Sequence, residues 1–340
     1  MTYPAFYHVE NEYRKQMVDD FGARDKHDYY YGSYSSFHIH EEMLKDTVRT
    51  RTYQRAIMDN PEDFKDKIVM DIGCGTGILS IFAARAGAKH VYAIEYAEIA
   101  LFAREIIKRN GLEDKITVLK GKMEEIELPV PKVDIIISEW MGYFCLYESM
   151  LDCVLWARDK YLVEGGKMLP DRAQLYIAAI EDGQYKHQKR TFWNDIYGID
   201  MSCLTPTVMK EPLVDTVDSQ MIMSDACKVM DLDLVHCNKA DVQFCSQYVL
   251  KMKYTDRVHG IVAWFDTPFS RLTRPVMLST SPYKKYTHWK QTVFYMENDL
   301  DVREGDIIYG SIACRQSSTN FRELDIKISY NYDGVRGNNK

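Results

Sequence analysis

The chain has 340 residues, a length that is typical of two domains or of one domain with a large annex. Apolar residues make up 46% of the chain and charged residues 27%, a balance that is typical of a soluble globular protein and argues against long disordered tracts. The formal net charge of −7 argues against nucleic acid as the main partner and favours a cationic substrate.

The N-terminus and the cysteines predict a protein of a reducing compartment. The first ten residues contain neither a basic region nor an apolar stretch, so we expect no secretory signal. No apolar run approaches the ~18 residues that span a bilayer. The eight cysteines form no C-x-x-C motif, which favours free thiols over disulfides or a zinc site. We therefore expect a cytoplasmic protein, with nuclear entry left open, that contacts no membrane and binds no metal and no nucleic acid directly.

The first half of the chain alternates predicted helices with apolar strands. Helices are predicted at 41–59, 78–86, 97–110 and 148–161, the last one stopped by a glycine pair at 165–166. Strands are predicted at 67–71, 90–95, 116–120 and 133–139. This alternation predicts a doubly wound α/β fold built on a parallel sheet.

After residue 170 the pattern changes to short alternating runs at 173–180, 242–253, 259–265, 291–296, 307–314 and 324–332. Such runs predict an antiparallel β-domain, either a barrel or a sandwich. One stretch, residues 183–216, is rich in aromatic side chains and helical in places. Its apolar surface must be covered either by its own barrel or by a partner subunit.

A glycine-rich loop, DIGCGTG, follows the first predicted strand at residues 71–77, and its Asp71 and three glycines are predicted cofactor-binding residues. Gly73, Gly75 and Gly77 allow backbone N–H groups to approach a ligand closely at a helix N-terminus. The G-x-G-x-G spacing, with Ile78 next, weakens a dinucleotide interpretation, and the lack of a Walker lysine excludes P-loop chemistry. The alternative is that the glycines form only a tight turn.

Acidic residues follow the next two strands and complete this pattern. Glu95 closes the second strand, 24 residues after Asp71, where an acid accepts both hydroxyls of a ribose. Glu124, just after the third strand, can accept the exocyclic amine of adenine, with Met123 against the ring. Together these residues describe a nucleoside without a phosphate, and S-adenosylmethionine is the predicted cofactor. The alternative is that Glu95 is a solvated strand end.

Two glutamates flank the most informative segment, residues 138–148. Glu139 ends the fourth predicted strand, where open α/β sheets bind ligands, and Glu148 follows nine residues later. The segment between them is largely apolar and aromatic, so we expect it to fold down and bring the two carboxylates together. Two facing anions persist only if a cation completes the site, and a planar guanidinium fits both. Taken singly, Glu148 can be a first-turn acid of a helix and Glu139 an ordinary strand end.

The segments DIGCGTG, VDIIISEWMGY, YES and YTHW together resemble the protein arginine N-methyltransferases of the asymmetric-dimethylating, or type I, class. The resemblance runs from about residue 28 to about residue 330. It implies a Rossmann-like methyltransferase domain at 28–170 and a β-barrel domain at 171–340, with a helical dimerisation arm at 183–216. Residues 1–27 have no match and are expected to form an extension, with disorder as one option.

The resemblance also implies roles for residues before the first strand. Tyr30 and Tyr34 match tyrosines of an N-terminal helix that folds over the cofactor. His40 and Met43 match positions that line the cofactor site and the substrate pocket. Arg49 matches the residue that pairs with the methionine carboxylate of S-adenosylmethionine, a bidentate role that lysine fills poorly.

For catalysis, the resemblance implies that Glu139 and Glu148 hold the substrate guanidinium. It implies an active-site histidine at His288, paired with Asp46. The remaining substrate-pocket positions that it implies are Tyr34, Met43, Met150 and Trp289. Met43 and Met150 would leave room for two methyl groups on one nitrogen, as the asymmetric product requires.

The implied activity is methyl transfer from S-adenosylmethionine, which becomes S-adenosylhomocysteine, to arginines of Arg-Gly-rich proteins. The implied assembly is a homodimer or higher oligomer, or a hetero-oligomer with a paralogue. A competing hypothesis is a largely non-catalytic scaffold or a subunit that needs a paralogous partner for activity. The intact glutamates, His288 and glycine loop argue against an inactive copy.

Overall fold

A five-stranded parallel sheet forms the first half of the computed structural model, which describes residues 34–333 of the chain. Its strands are β1 (Ile68–Ile72), β2 (His90–Glu95), β3 (Ile116–Lys120), β4 (Val133–Ser138) and β5 (Leu162–Leu169). Their order is β3-β2-β1-β4-β5 and every pairing is parallel, which confirms the predicted doubly wound fold. The order reverses between β1 and β4, and ligands of such sheets bind outside the strands' carboxyl ends at this point.

Helices surround the parallel sheet. They are α1 (Phe37–Lys45), α2 (Thr47–Met58), the single turn α3 (Pro61–Phe64), α4 (Ile78–Arg85), α5 (Ile99–Arg109) and α6 (Leu151–Tyr161). The side chains that α4 and α5 turn toward the sheet are buried, and β4 is buried along almost its whole length, as a central parallel strand requires.

The prediction of one helix at 41–59 is wrong, because Asp46 divides this segment into α1 and α2. The carboxylate of Asp46 accepts a hydrogen bond from the backbone N–H of Arg49 (2.9 Å) and so caps the N-terminus of α2. The predicted helix at 148–161 begins only at Leu151, since Glu148 and Ser149 adopt left-handed φ angles of 75° and 57°. The glycine pair at 165–166 does not stop this helix; it lies within β5.

Antiparallel sheets form the second half. Their strands are β6 (Arg172–Ile180), β7 (Leu213–Asp215), β8 (Cys227–Asp233), β9 (Phe244–Lys251), β10 (Asp256–Phe269), β11 (Val276–Ser279), β12 (Gln291–Val302), β13 (Ile307–Gln316) and β14 (Leu324–Asp333). One sheet has the order β7-β12-β10-β6-β8 with β11 beside β10, and the other has the order β14-β13-β9. They form a barrel-like domain, which is one of the two forms that the alternating runs predicted.

Residues 183–216, which we call the arm, form short helices and end in β7, which pairs with β12 of this domain. It contains α7 (Gly183–Thr191) and α8 (Thr205–Val208), with two 3₁₀ turns between them. Phe192 and Tyr197 are 60% and 102% exposed, and Ile199 and Leu204 are also exposed. The arm therefore presents apolar surface that its own barrel does not cover.

The two halves pack on each other through one continuous apolar core. At the junction, the ring of Tyr53 on α2 meets the ring of Phe269 on β10, with 5.0 Å between the centroids. The indole N–H of Trp289 donates a hydrogen bond to the carbonyl of Met141, just beyond β4 (2.8 Å). The barrel is thus fixed beside the carboxyl ends of the parallel strands. Each helix within residues 34–333 is too short or too polar to cross a lipid bilayer.

Candidate active site

A cavity of about 530 Å³ opens at the carboxyl ends of β1, β2 and β4. It lies where the sheet order reverses, and the barrel domain supplies part of its wall. The predicted site residues that line it are Tyr34, His40, Met43, Arg49, Gly73, Gly75, Glu95, Met123, Glu124, Glu139, Glu148, Met150 and His288. Tyr30 lies outside the described residues.

The glycine loop forms the floor of the cavity. Gly73 and Gly75 adopt left-handed φ angles of 72° and 54°, which glycine adopts without steric cost. A Cβ atom on Gly73 would lie 2.5 Å from the terminal methyl group of Met150, and one on Gly75 would lie 3.3 Å from the ring of His40. Side chains at these two positions would crowd Met150 and His40. Because glycine has no side chain, a ligand in the cavity can approach the backbone of the loop.

The structure corrects the prediction for Gly77, which does not line the cavity. This residue precedes α4 with a φ angle of 82° and faces α5, where an added Cβ would contact Ile107 and Ala103. Its role is to allow the tight turn into α4 and close packing of the two helices.

Glu95 ends β2 and is held in place by the backbone. One of its carboxylate oxygens accepts the N–H of Gly75 (2.9 Å) and the other accepts the N–H of Ala97 (2.8 Å). Burial raises the pKa of Glu95, and these two hydrogen bonds oppose that shift. Farther along the wall, Met123 is buried while Glu124 is exposed at the edge of the cavity.

Asp71, predicted as a cofactor-binding residue, lies behind the glycine loop and outside the cavity wall. Its side chain is fully buried, and one of its oxygens accepts the hydroxyl of Ser80 on α4 (2.6 Å). The other oxygen has no hydrogen-bond partner among the described residues. Burial raises the pKa of Asp71 to about 7, despite the hydrogen bonds from Ser80. Asp71 faces α4 because successive side chains of a strand point to opposite faces of the sheet.

The segment between Glu139 and Glu148 folds into a tight hairpin. The backbone N–H of Gly142 donates to the carbonyl of Cys145 (3.2 Å), and Phe144 and Cys145 take left-handed φ angles of 53° and 67°. The apolar side chains of the hairpin are mostly buried against the core, as expected for a loop of this composition. This fold directs both glutamates to the same cavity.

Arg49 and Tyr34 hold the two carboxylates. The guanidinium of Arg49 donates to Oε2 of Glu139 from Nε (2.8 Å) and Nη2 (2.7 Å). The other oxygen of Glu139 is buried and has no hydrogen-bond partner among the described residues. The hydroxyl of Tyr34 donates to Oε2 of Glu148 (2.9 Å), and Nε2 of His40 donates to the carbonyl of Tyr34 (2.7 Å). Arg49 thus anchors Glu139, a contact that the sequence did not indicate.

Asp46 and His288 form the predicted pair. Oδ2 of Asp46 meets Nδ1 of the His288 ring at 2.7 Å and accepts the backbone N–H of His288 at 2.9 Å. Burial alone would raise the pKa of Asp46, but these hydrogen bonds and the one from the Arg49 backbone outweigh it, and the pKa is lowered. Asp46 lies behind His288 and orients it, while His288 itself lines the cavity.

Trp289 is not a pocket residue, contrary to the prediction. Its side chain is 3% exposed and packs edge-on against Phe265, with 5.5 Å between the ring centroids. Its hydrogen bond to Met141 joins the barrel to the end of β4. The adjacent residue, His288, is the one that reaches the cavity.

Among the residues of the cavity wall that sequence reasoning missed, two come from the barrel domain. Phe321 and Arg322 come from the loop between β13 and β14, more than 170 residues beyond the glutamate hairpin. No motif marks this loop, and only the packing of the barrel on the parallel sheet brings it to the site. Among residues 34–333, no group of three or more His, Cys, Asp or Glu side chains is arranged to hold a metal ion.

Two family profiles match the chain. The profile described as "Arginine methyltransferase oligomerization subdomain" matches residues 171–335, which is the barrel half with its arm. The profile described as "Ribosomal protein L11 methyltransferase (PrmA)" matches residues 56–143, which include the glycine loop and β4. The first half is thus similar to a methyltransferase and the second to an arginine methyltransferase.

Curated relatives match nearly the whole chain. Protein arginine N-methyltransferase 1 of Schizosaccharomyces pombe is 56% identical over 306 residues, which cover 90% of each chain. The protein of that name from Chlamydomonas reinhardtii is 54% identical over 93% of this chain and 92% of its own length. The one from Saccharomyces cerevisiae is 51% identical over 92% of this chain and 91% of its own length.

Solved structures agree with these matches. The Trypanosoma brucei PRMT1 enzyme–prozyme heterotetrameric complex with AdoHcy contains a chain that is 45% identical, with a TM-score of 0.86 over 89% of this chain and 96% of that one. Arabidopsis thaliana protein arginine methyltransferase 10 is 32% identical, with a TM-score of 0.85 over 91% of this chain and 97% of that one. On the evidence of its fold, its cavity and these relatives, the chain belongs to the protein arginine N-methyltransferase family.

Proposed function

We propose that Glu139 and Glu148 hold the substrate guanidinium of this S-adenosylmethionine-dependent protein arginine methyltransferase. The observation that carries the proposal is the meeting of both carboxylates at one cavity beside the glycine loop. Arg49 neutralises part of the charge of Glu139 through one oxygen and leaves the other without a partner among the described residues. A guanidinium, with five N–H donors in a plane, matches such carboxylate oxygens.

The residues at the other end of the cavity fit the cofactor. Gly73 and Gly75 allow close approach of a ligand to the backbone, and Glu95 is fixed at the strand end where a ribose-binding acid is expected. Glu124 would hold the adenine amine, and Arg49 would hold the methionine carboxylate. When bound, S-adenosylmethionine supplies an electrophilic methyl group.

Residues of the chain then meet two requirements of the reaction: a sufficiently nucleophilic nitrogen and an acceptor for the proton that it loses. Arginine is a poor nucleophile because its nitrogen lone pairs are delocalised, and two carboxylates draw the positive charge away from the attacking nitrogen. They also align this nitrogen, and positioning of this kind supplies ~7–11 kcal/mol of a barrier. The nitrogen that gains a methyl group loses one proton, for which the carboxylate of Glu148 and the ring of His288 are acceptors in the cavity wall.

Replacing either glutamate with glutamine tests this proposal. Glu139→Gln and Glu148→Gln keep the side-chain volume and remove the charge, so we expect folding and S-adenosylhomocysteine binding to persist. Turnover of an Arg-Gly-rich peptide should fall by about 100-fold or more, because alignment and charge are both lost. The exposed Glu164→Gln is the matched control. Radiolabelled methyl transfer measures the rate, and wild-type turnover in either variant would reject the proposal.

We further propose an asymmetric dimethylarginine product. Met43 and Met150 both line the cavity with flexible apolar side chains, which supports a pocket with room for two methyl groups on one nitrogen. Mass-spectrometric analysis of the product formed on an arginine peptide checks this. We expect asymmetric dimethylarginine with a monomethyl intermediate, and symmetric dimethylarginine would contradict the assignment.

The proposed substrates are Arg-Gly-rich proteins, for which the net charge of −7 provides attraction. The proposed assembly is a homodimer or higher oligomer formed through the arm. The oligomerisation profile spans the arm, and the arm's exposed Phe192 and Tyr197 are suited to burial in an interface. A hetero-oligomer with a paralogue is the alternative, in keeping with the enzyme–prozyme complex of Trypanosoma brucei.

The proposed location is the cytoplasm, with the nucleus as a second site. All eight cysteines are free thiols in the structure, which supports a reducing compartment.

A further inference from the structure

The loop between β13 and β14, residues 317–323, both accepts a hydrogen bond from the backbone of Glu148 and donates one to it. We call it the clamp loop. The backbone N–H of Glu148 donates to the carbonyl of Arg322 (2.8 Å). In return, Nη1 of Arg322 donates to the carbonyl of Glu148 (2.7 Å). Both polar groups of the Glu148 backbone are therefore bound to one residue that lies 174 positions later in the chain.

The clamp loop also binds Ser149, the residue that follows Glu148. The hydroxyl of Ser149 donates to the carbonyl of Phe321 (2.7 Å). The guanidinium of Arg322 lies 4.8 Å from the centroid of the Phe321 ring, which restricts its position further. Three hydrogen bonds thus join Glu148 and Ser149 to Phe321 and Arg322 of the clamp loop.

The clamp loop is itself internally braced. The side-chain carbonyl of Asn320 accepts the backbone N–H of Arg322 (3.1 Å), and its amide donates to the carboxylate of Glu323 (3.1 Å). The N–H of Ser317 donates to the carbonyl of Glu323 and closes the loop (2.9 Å). A loop braced in this way presents its carbonyls and the Arg322 side chain in a fixed arrangement.

Glu148 needs such support because its backbone is strained. Glu148 and Ser149 are consecutive non-glycine residues in the left-handed region, with φ angles of 75° and 57°. Residues persist in this region only where the surrounding structure holds them there. A change of these φ angles would change the direction in which the Glu148 side chain leaves the backbone.

We propose that Arg322 is a positioning residue for methyl transfer, which acts by fixing the backbone of Glu148 so that its carboxylate faces the guanidinium site. The proposal rests on the role proposed above for Glu148. Through this contact the barrel domain sets the geometry of a catalytic residue that belongs to the parallel-sheet domain. Arg322 would thereby control the rate of the chemical step more than the binding of the cofactor.

The test compares Arg322→Met with Arg315→Met in the full-length protein. Arg315 lies on β13, two residues before the clamp loop, is exposed, and pairs with Asp325 at 3.1 Å. Its replacement therefore controls for the removal of an arginine. We expect Arg322→Met to lower kcat on an arginine peptide by about 10- to 100-fold, because small displacements of a catalytic group cost that much. The Kd for S-adenosylhomocysteine should stay at the wild-type value in both variants.

A double variant separates positioning from a merely structural effect. If Arg322 acts through Glu148, then Arg322→Met combined with Glu148→Gln should be no slower than Glu148→Gln alone. Arg322→Lys, which keeps a donor near the Glu148 carbonyl, should recover part of kcat. Should Arg322→Met fail to fold in a thermal melt, Ser149→Ala removes the neighbouring bond to Phe321 and should also lower kcat.

Three results would overturn the proposal: a wild-type kcat for Arg322→Met, a loss that multiplies with that of Glu148→Gln, or a weaker S-adenosylhomocysteine Kd that accounts for the whole effect. Failure of the underlying function gives a different pattern, since Glu148→Gln would then retain wild-type turnover. If Glu148→Gln is slow while Arg322→Met keeps wild-type turnover, the positioning role of Arg322 is rejected and the role of Glu148 stands.

Discussion

Asp71 combines full burial with a carboxylate oxygen that has no hydrogen-bond partner among the described residues. Its pKa is raised from 3.8 to about 7, mainly by burial. Between these two pH values the folded protein keeps a proton that the unfolded chain releases. The contribution of Asp71 to the free energy of unfolding therefore falls as pH rises from about 4 to about 7, and is constant above that.

Asp71→Asn should remove this pH dependence, because an amide does not ionise. We expect the free energy of unfolding of Asp71→Asn, relative to wild type, to rise by on the order of 2 kcal/mol between pH 5 and pH 8. Denaturant titrations at the two pH values measure it, with the exposed Asp114→Asn as the control. An unchanged difference would show that Asp71 does not keep its proton in the folded state.

The sequence located side chains at the cavity where their position follows from a strand end, as for Glu95 and Glu139, which both line it. It failed where the direction of the side chain decides. Asp71 and Gly77 belong to the glycine motif but face away from the cavity, and Trp289 faces the core beside a histidine that reaches the site. A motif gives the position of a residue along the chain and leaves its orientation to packing.

Among the secondary-structure elements, the arm carries exposed apolar side chains that we expect to be buried against a partner subunit. Phe192 and Tyr197 are exposed at 60% and 102%, so their replacement should change the stability of the single chain by no more than about 0.5 kcal/mol. The same side chains would contribute through burial of apolar area if the arm packs on a partner subunit.

We therefore expect the double variant Phe192→Ser, Tyr197→Ser to weaken self-association by about 10-fold or more, since each tenfold corresponds to the loss of ~1.4 kcal/mol. Sedimentation velocity over a concentration series measures the dissociation constant. Tyr254→Ser replaces an exposed tyrosine of the barrel outside the arm and serves as the control. An oligomer unchanged by the double variant would rule out the arm as the contact.

The bounds of the elements show what local sequence leaves undecided. The segment at 41–59 has a continuous helical periodicity, but a side-chain cap at Asp46 divides it, because a capping hydrogen bond competes with the intact helix. The helix expected from Glu148 starts at Leu151, because bonds from the clamp loop stabilise a left-handed backbone before it. A contact that decides the conformation of residue 148 from residue 322 has no local signature.

For the whole molecule, the alternation of strands and helices before residue 170 predicted the parallel sheet, and the short alternating runs after it predicted antiparallel sheets. The packing of the two halves was not predictable from these patterns. It depends on contacts such as the one between Trp289 and Met141, and it brings His288 and Arg322 to a cavity that the parallel sheet alone would leave open. The site is therefore a property of the junction.

The binding of one guanidinium by Glu139 and Glu148 beside the methyl donor, as proposed above, can be observed in a crystal structure of the chain with S-adenosylhomocysteine and an arginine peptide. We expect the guanidinium nitrogens within about 3 Å of oxygens of both carboxylates, at hydrogen-bond distance. A guanidinium bound elsewhere, with either glutamate turned into solvent, would refute the proposal.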